Sequence, residues 1–92
     1  MAEITLDGVK YTTIDDKTAV ASISNGEGAL TILKKVKIDG KEYTVTKVGT
    51  LEGKYLDRIT VSIPDSVTSI GTLWYCSNIT FPDSVTSIGE LC

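Results

Sequence analysis

Ile63-Pro64-Asp65-Ser66-Val67-Thr68-Ser69-Ile70-Gly71 returns eighteen residues later as Phe81-Pro82-Asp83-Ser84-Val85-Thr86-Ser87-Ile88-Gly89. Eight consecutive residues, Pro64–Gly71 and Pro82–Gly89, are identical. A unit this short cannot bury its own apolar face, so successive copies must stack into a solenoid-like coil. Each residue type has a physical reason to stand where it does. Pro64 ends a strand, where no ladder donor is needed. Asp65 and Ser66 turn the chain by hydrogen bonding to their own backbone. Val67 and Ile70 return to the core, and Gly71 permits a tight bend or a close approach to the next turn of the coil.

Working outward, a fainter copy lies upstream. Val45-Thr46-Lys47-Val48-Gly49-Thr50-Leu51 precedes Val67-Thr68-Ser69-Ile70-Gly71-Thr72-Leu73 by 22 residues. The coil therefore starts near residue 45. Just before the octapeptide, Leu56-x-x-Ile59-x-Val61-x-Ile63 reads as a strand whose alternate residues enter the core, leaving Thr60 and Ser62 outward. Cys76-x-x-Ile79-x-Phe81 repeats that spacing, with Thr80 outward. Helix is expected to be scarce, at most single turns near Leu51–Leu56 and Leu73–Cys76.

Residues 3–48 read as antiparallel strands. Asp7-Gly8 joins Ile4–Leu6 to Val9–Ile14, and Asp39-Gly40 joins a strand ending at Ile38 to Glu42–Val48. Asp-Gly supplies the positive φ angles of a tight hairpin. Asp15–Thr18 and Asn25–Gly28 read as further turns. Ala19–Ser24 and Ala29–Ile38 read as strands, the second with Val36 and Ile38 on one face and Lys35 and Lys37 on the other. The expected organisation is mainly β. An N-terminal antiparallel sheet (residues 1–44) caps a short right-handed coil (residues 45–92), the two forming one continuous unit. The coil is expected to be left open after Glu90-Leu91-Cys92.

The phrase Ile-Pro-Asp-Ser-Val-Thr-Ser-Ile-Gly resembles the BspA-like leucine-rich repeats of bacterial surface proteins. Gly40–Gly49 is similar to the family's approach to its first repeat, and Ile4–Tyr11 to its opening strand pair. The resemblance implies a leucine-rich-repeat fold and an extracellular or cell-surface location. It also implies a non-catalytic role in adhesion or binding of a protein partner, such as a host or surface protein. Met1-Ala2-Glu3 has neither the basic start nor the apolar stretch of a secretory leader, so the chain reads either as a cytoplasmic protein or as a mature segment behind an added Met1, and the resemblance favours the second.

Composition narrows the function classes. A net charge of −3 and a pI near 4.7 give nothing to attract a polyanion, so no nucleic-acid partner is expected. No apolar run approaches the ~20 residues that span a bilayer. There is no histidine, the commonest general base and neutral metal ligand. Catalysis would fall to carboxylates such as Asp15-Asp16 or to a lysine. With no phosphate loop or metal-spaced cluster, the chain reads as a non-enzyme without a cofactor.

The candidate partner-binding residues are Thr44, Thr46, Thr60, Ser62 and Thr80, read as a concave ladder of hydroxyls. The alternative reading is a set of solvated strand residues chosen for β-propensity. Asp65 and Asp83 stack at equivalent corners, which turn formation explains without calcium. Trp74 and Tyr75 read as a cover on the convex side. Tyr11, Tyr43 and Tyr55 read as packing residues with wet hydroxyls. Cys76 reads as a small buried hydrophobe, and Cys92 as a thiol not stacked on it. Lys34, Lys35, Lys37 and Lys41 read as a solvent face that discourages edge pairing. A structural alternative for the whole chain is a cap and assembly segment. It would form a homo-oligomer through the open C-terminal repeat, where Ile88 and Leu91 lie on an unpaired strand.

Overall fold

The computed structural model describes residues 2–26, 28–53, 59–74 and 78–91. Ten strands run β1 Glu3–Leu6, β2 Val9–Thr13, β3 Thr18–Gly26, β4 Gly28–Thr31, β5 Lys35–Ile38, β6 Lys41–Gly53, β7 Ile59–Ser62, β8 Ser69–Trp74, β9 Asn78–Thr80 and β10 Ser87–Leu91. The described residues contain no helix. Of the two places where a helical turn was expected, Leu51–Gly53 belongs to β6 and Leu73–Trp74 to β8. The remainder of both stretches lies outside the described residues.

The strands form two sheets. The larger has seven strands in the order β1-β2-β3-β6-β8-β10, with β5 also paired to β6; the smaller is β4-β7-β9. From β6 onward the chain alternates between them, and each strand lies parallel to the one placed a turn earlier. Val48 registers with Ile70 and Ile70 with Ile88 in the larger sheet. Val61 registers with Ile79 in the smaller sheet. One passage through both sheets is called a rung below.

Both Asp-Gly hairpins form as expected. Asp7 and Gly8 have φ of 48° and 83°, and Asp39 and Gly40 have 52° and 81°, the left-handed pair that matches the twist of the flanking strands. At the intervening turn, Asp15 Oδ1 accepts the amides of Lys17 at 2.8 Å and Thr18 at 2.9 Å.

Two expectations for the first half need correction. The antiparallel reading of residues 3–48 holds for β1-β2-β3 and for β5-β6. However, β3 lies parallel to β6, and β4 lies parallel to β7. These two strands thus already make a rung. Secondly, the single strand expected over Ala29–Ile38 is two strands in different sheets. The chain leaves the smaller sheet at Ile32, whose amide bonds the Ser62 carbonyl at 3.0 Å, and β5 then starts in the larger sheet.

One corner bond explains how a rung accommodates that change. The Val67 amide donates to the Pro64 carbonyl at 3.2 Å, and the Val85 amide to the Pro82 carbonyl at 3.1 Å. The same bond closes the first rung, from the Val45 amide to the Lys34 carbonyl at 2.8 Å. The β5–β6 hairpin is therefore an insertion within a corner that otherwise keeps its geometry.

The core lies between the sheets. Val9, Tyr11, Ala19, Ala21, Ile23, Ile32, Val36, Ile38, Val45, Val48, Val61, Val67 and Ile70 are buried, with Ile63 and Val85 packed against them. Val67 and Val85 thus belong to one interior, the arrangement that stacking of the two octapeptides requires. Glycine is obligatory where rungs meet. A Cβ on Gly71 would collide with the Gly49 carbonyl oxygen, and one on Gly89 with that of Gly71.

Candidate functional site

Alternation in the smaller sheet sorts its described side chains. Leu30 and Val61 turn toward the core, while Ala29, Thr31 and Ser62 are exposed. Register sets Thr31 beside Ser62 and Ser62 beside Thr80, giving a row of three hydroxyl-bearing residues across three strands. A second row runs Ala29, Thr60, Asn78. The side chains of Thr60, Asn78 and Thr80 lie outside the described part of the molecule.

The expected ladder is therefore divided. Thr60, Ser62 and Thr80 share the smaller sheet, whereas Thr44 and Thr46 sit on β6 in the larger one. Both are half-buried, and their backbone groups bond neighbouring segments. The Thr44 amide bonds the Lys17 carbonyl at 2.8 Å, and the Thr46 carbonyl accepts the Thr68 amide at 2.9 Å. Thr46 is also unmatched at the bulge between the pairs Ala19–Val45 and Val20–Lys47. In its place Thr31 joins the row. The signal for it was present in Ala29-Leu30-Thr31-Ile32, an out-in-out-in alternation hidden by reading one strand through to Ile38.

Thr31 also borders a pocket of about 270 Å³, lined with Leu6, Asp7, Tyr11, Leu30 and Leu33 among others. Leu6 and Leu33 are exposed at its mouth. Tyr11 is fully buried and its hydroxyl accepts the Leu33 amide at 3.0 Å, so this hydroxyl is not the wet group expected. Burial pushes the Tyr11 phenol above its ordinary pKa, partly opposed by that hydrogen bond. Tyr43 is half-buried, with the Lys41 ammonium 5.7 Å from its ring centre. Tyr55 lies outside the described residues.

The expected basic patch is largely paired. Lys34 reaches Asp65 at 3.1 Å, Lys35 reaches Glu42 at 3.8 Å and Lys41 reaches Asp16 at 3.9 Å. The first of these ties the corner of one rung to the corner of the next. Asp65 and Asp83 are both exposed. Among the described residues no group of three or more His, Cys, Asp or Glu is gathered. Tyr75, Cys76 and Cys92 lie outside the described residues, and Trp74 is described only as backbone in β8.

A second surface lies at the far edge. β10 ends the larger sheet and β9 the smaller. There Phe81 is 36% and Ile88 38% exposed, and Val85 is half-buried.

No family model matches the sequence, and no curated protein does. A solved structure that the chain is similar to is that of a leucine rich cell surface protein from Faecalibacterium prausnitzii A2-165. Sequence identity is 18% and the TM-score 0.49, with 97% of this chain and 32% of the other covered. The chain thus spans about a third of the length of that protein.

Proposed function

We propose that the chain is a non-catalytic protein-binding module of a bacterial cell-surface leucine-rich-repeat protein. The observation that carries the reading is the row Thr31–Ser62–Thr80, which lies across all three strands of the smaller sheet. Thr31 and Ser62 are exposed there. Hydroxyls in register offer paired donors and acceptors to a partner's backbone, and the adjoining Leu6–Leu33 pocket offers an apolar anchor point. The resemblance of the octapeptide to BspA-like repeats supports the same role and an adhesive setting outside the cell. No cofactor is required by it.

The test is surface plasmon resonance of the immobilised chain against purified extracellular-matrix and serum proteins. The double variant Thr31→Lys/Ser62→Lys should bind at least about tenfold more weakly, a change of ~1.4 kcal/mol. Absence of saturable binding across the panel, or undiminished binding by the double variant, would overturn the reading.

A further inference from the structure

The two sheets do not run equally far at the start of the fold. Beyond the first rung the larger sheet continues from β3 through β2 to β1, whereas the smaller sheet stops at β4. No described strand of the smaller sheet therefore lies opposite β2. The pocket of about 270 Å³ sits beside that edge, between Tyr11 of β2, Leu6 and Asp7 at the first turn, and Ala29, Leu30 and Thr31 of β4. Its walls are internal stretches of chain. The turn closes against β4, where a Cβ at Gly8 would be 3.4 Å from Leu30 Cδ2, an ordinary contact. Ala2 is held at the opposite end of β2, by two bonds to Thr13.

The backbone of β4 has one free side. The Ile32 amide bonds the Ser62 carbonyl at 3.0 Å, and Thr31 registers with Ser62. In a parallel ladder this turns the amides and carbonyls of alternate residues toward β7, those of Leu30 together with the Ile32 amide. The amides and carbonyls of Ala29 and Thr31 point the other way, and no described group bonds them. Leu33 has the same parity, and its amide is already taken by the Tyr11 hydroxyl at 3.0 Å. The edge thus offers two donors and two acceptors at strand spacing.

Such an edge calls for an extended backbone. The pocket is smaller than the roughly 300–1,000 Å³ of small-molecule sites, and Leu6, Leu30 and Leu33 make its walls apolar, so it has room for one apolar side chain. Asp7 supplies a negative rim: it is exposed and in no ion pair among the described residues. The lysines nearest it and Leu33 in sequence, Lys10 and Lys34, are held by Glu3 at 3.0 Å and Asp65 at 3.1 Å. After burial, and against the Leu33 bond, the Asp7 charge adds to the rise in the Tyr11 pKa, so it is felt at the inner wall. Side chains two apart on a strand share a face. We infer that β4 accepts an extended segment of a partner protein as a fourth strand of the smaller sheet, with an apolar residue in the Leu6–Leu33 pocket and a Lys or Arg two residues away facing Asp7. The inference rests on the proposed protein-binding role and names the partner's chemistry. The added strand sets its outward residues beside Thr31 and so extends the hydroxyl row.

The experiment titrates the ¹⁵N-labelled chain with the end-capped peptide Thr-Lys-Thr-Leu-Thr-Lys-Thr and follows amide shifts and hydrogen exchange. Saturable shifts at Asp7, Gly8 and Ala29–Leu33 are expected. Exchange should slow at the Ala29 and Thr31 amides and stay unchanged at Leu30 and Ile32. Replacing the central leucine by threonine, or both lysines by glutamates, should weaken binding at least about tenfold. The chain variant Leu33→Ser, altered only at an exposed side chain, should keep its dispersed spectrum and bind the peptide as weakly. Asp7→Asn, which tolerates the positive φ of the turn, should remove the salt dependence of binding. Ser62→Ala, one strand away from the edge, should leave peptide affinity unchanged. The inference is overturned by no saturation up to about 1 mM peptide, by equal binding of the glutamate peptide, or by slow exchange of the Thr31 amide in the free chain. Shifts centred on Ser62 and Thr80 would overturn it and place the peptide on the hydroxyl row. Failure of the peptide beside row-dependent binding of a matrix protein would overturn this inference alone and leave the proposed function standing.

Discussion

Pro64–Gly71 and Pro82–Gly89 are the same eight residues in two environments. In the inner copy Val67 is 0% and Ile70 2% exposed; in the outer copy Val85 is half-buried and Ile88 is 38% exposed. Corner bond and serine bond are nevertheless alike, at 3.2 and 3.1 Å and at 2.7 and 2.7 Å. Local sequence thus sets the path of a rung, while burial is supplied by whatever lies on the next rung. This is the nearest-neighbour logic of a stacked repeat, in which stability resides largely in the contacts between units.

That contrast is broken or sharpened by paired substitutions. The largest effect is expected at the isoleucines. Ile70→Ala should cost about 3 kcal/mol by opening a cavity between covered rungs. Ile88→Ala, already in contact with water, should cost less than about 1 kcal/mol. Equal shifts in the denaturant midpoint would mean that the outer copy is covered in solution. Next come the glycines. Gly71→Ala drives a methyl onto the Gly49 carbonyl with a rung on either side, and should cost about 2–3 kcal/mol. Gly89→Ala meets the Gly71 carbonyl at a similar distance, but its rung can shift outward, so thermal melts should show a smaller loss, about 1 kcal/mol.

The serines should erase the contrast. Ser66→Ala and Ser84→Ala each strip a bond from the carbonyl of a fully buried valine, Val45 and Val67. Both should cost about 1 kcal/mol. A clear inequality would show that the rung of the donor, and not the burial of the acceptor, controls the bond.

The corner carboxylates should differ only slightly. Asp65→Asn removes the exposed pair with Lys34, about 0.5 kcal/mol or less and sensitive to salt. For Asp83, the residue one rung below at the position of Lys34 is Pro64, so Asp83→Asn should be silent at every ionic strength.

The smallest effect is placed at a turn remote from both copies. The Lys17 amide, then the Thr18 hydroxyl and amide, hold the Asp15 carboxyl below the usual carboxylate range. A depressed folded-state value means that its contribution is present above the ordinary range and disappears as pH falls through the folded value. Carboxyl NMR should place its titration below the ordinary aspartate range, and Asp15→Asn should flatten the acid limb of stability slightly.

The sequence disclosed the later rungs because their repeat is literal, and both hairpins because Asp-Gly has few other uses. It concealed the first rung for identifiable reasons. Lys34 replaces proline at the corner, ten residues of hairpin separate Lys34 from Val45, and Thr18–Ile23 alternates small residues without the octapeptide. Alternation reveals which side chains point inward, but not whether a strand's neighbour runs parallel or antiparallel. It therefore leaves the parallel pairing of β3 with β6 and of β4 with β7 invisible in the sequence. The candidate surface was legible by the same measure. Alternation alone indicates that Ser62 faces outward, but which hydroxyls share a sheet depends on where the chain changes sheets, and that is what separates Thr44 and Thr46 from Ser62 and sets Thr31 beside it.

The corner bond from Val45 to Lys34 spans an inserted hairpin without losing its length, 2.8 Å against 3.2 Å at the uninterrupted corner. Such a junction is permissive: it keeps its corner bond although the inserted hairpin adds Val36 and Ile38 to the shared core. Foreign loops grafted between Pro64 and Val67 should therefore be displayed on a preserved framework.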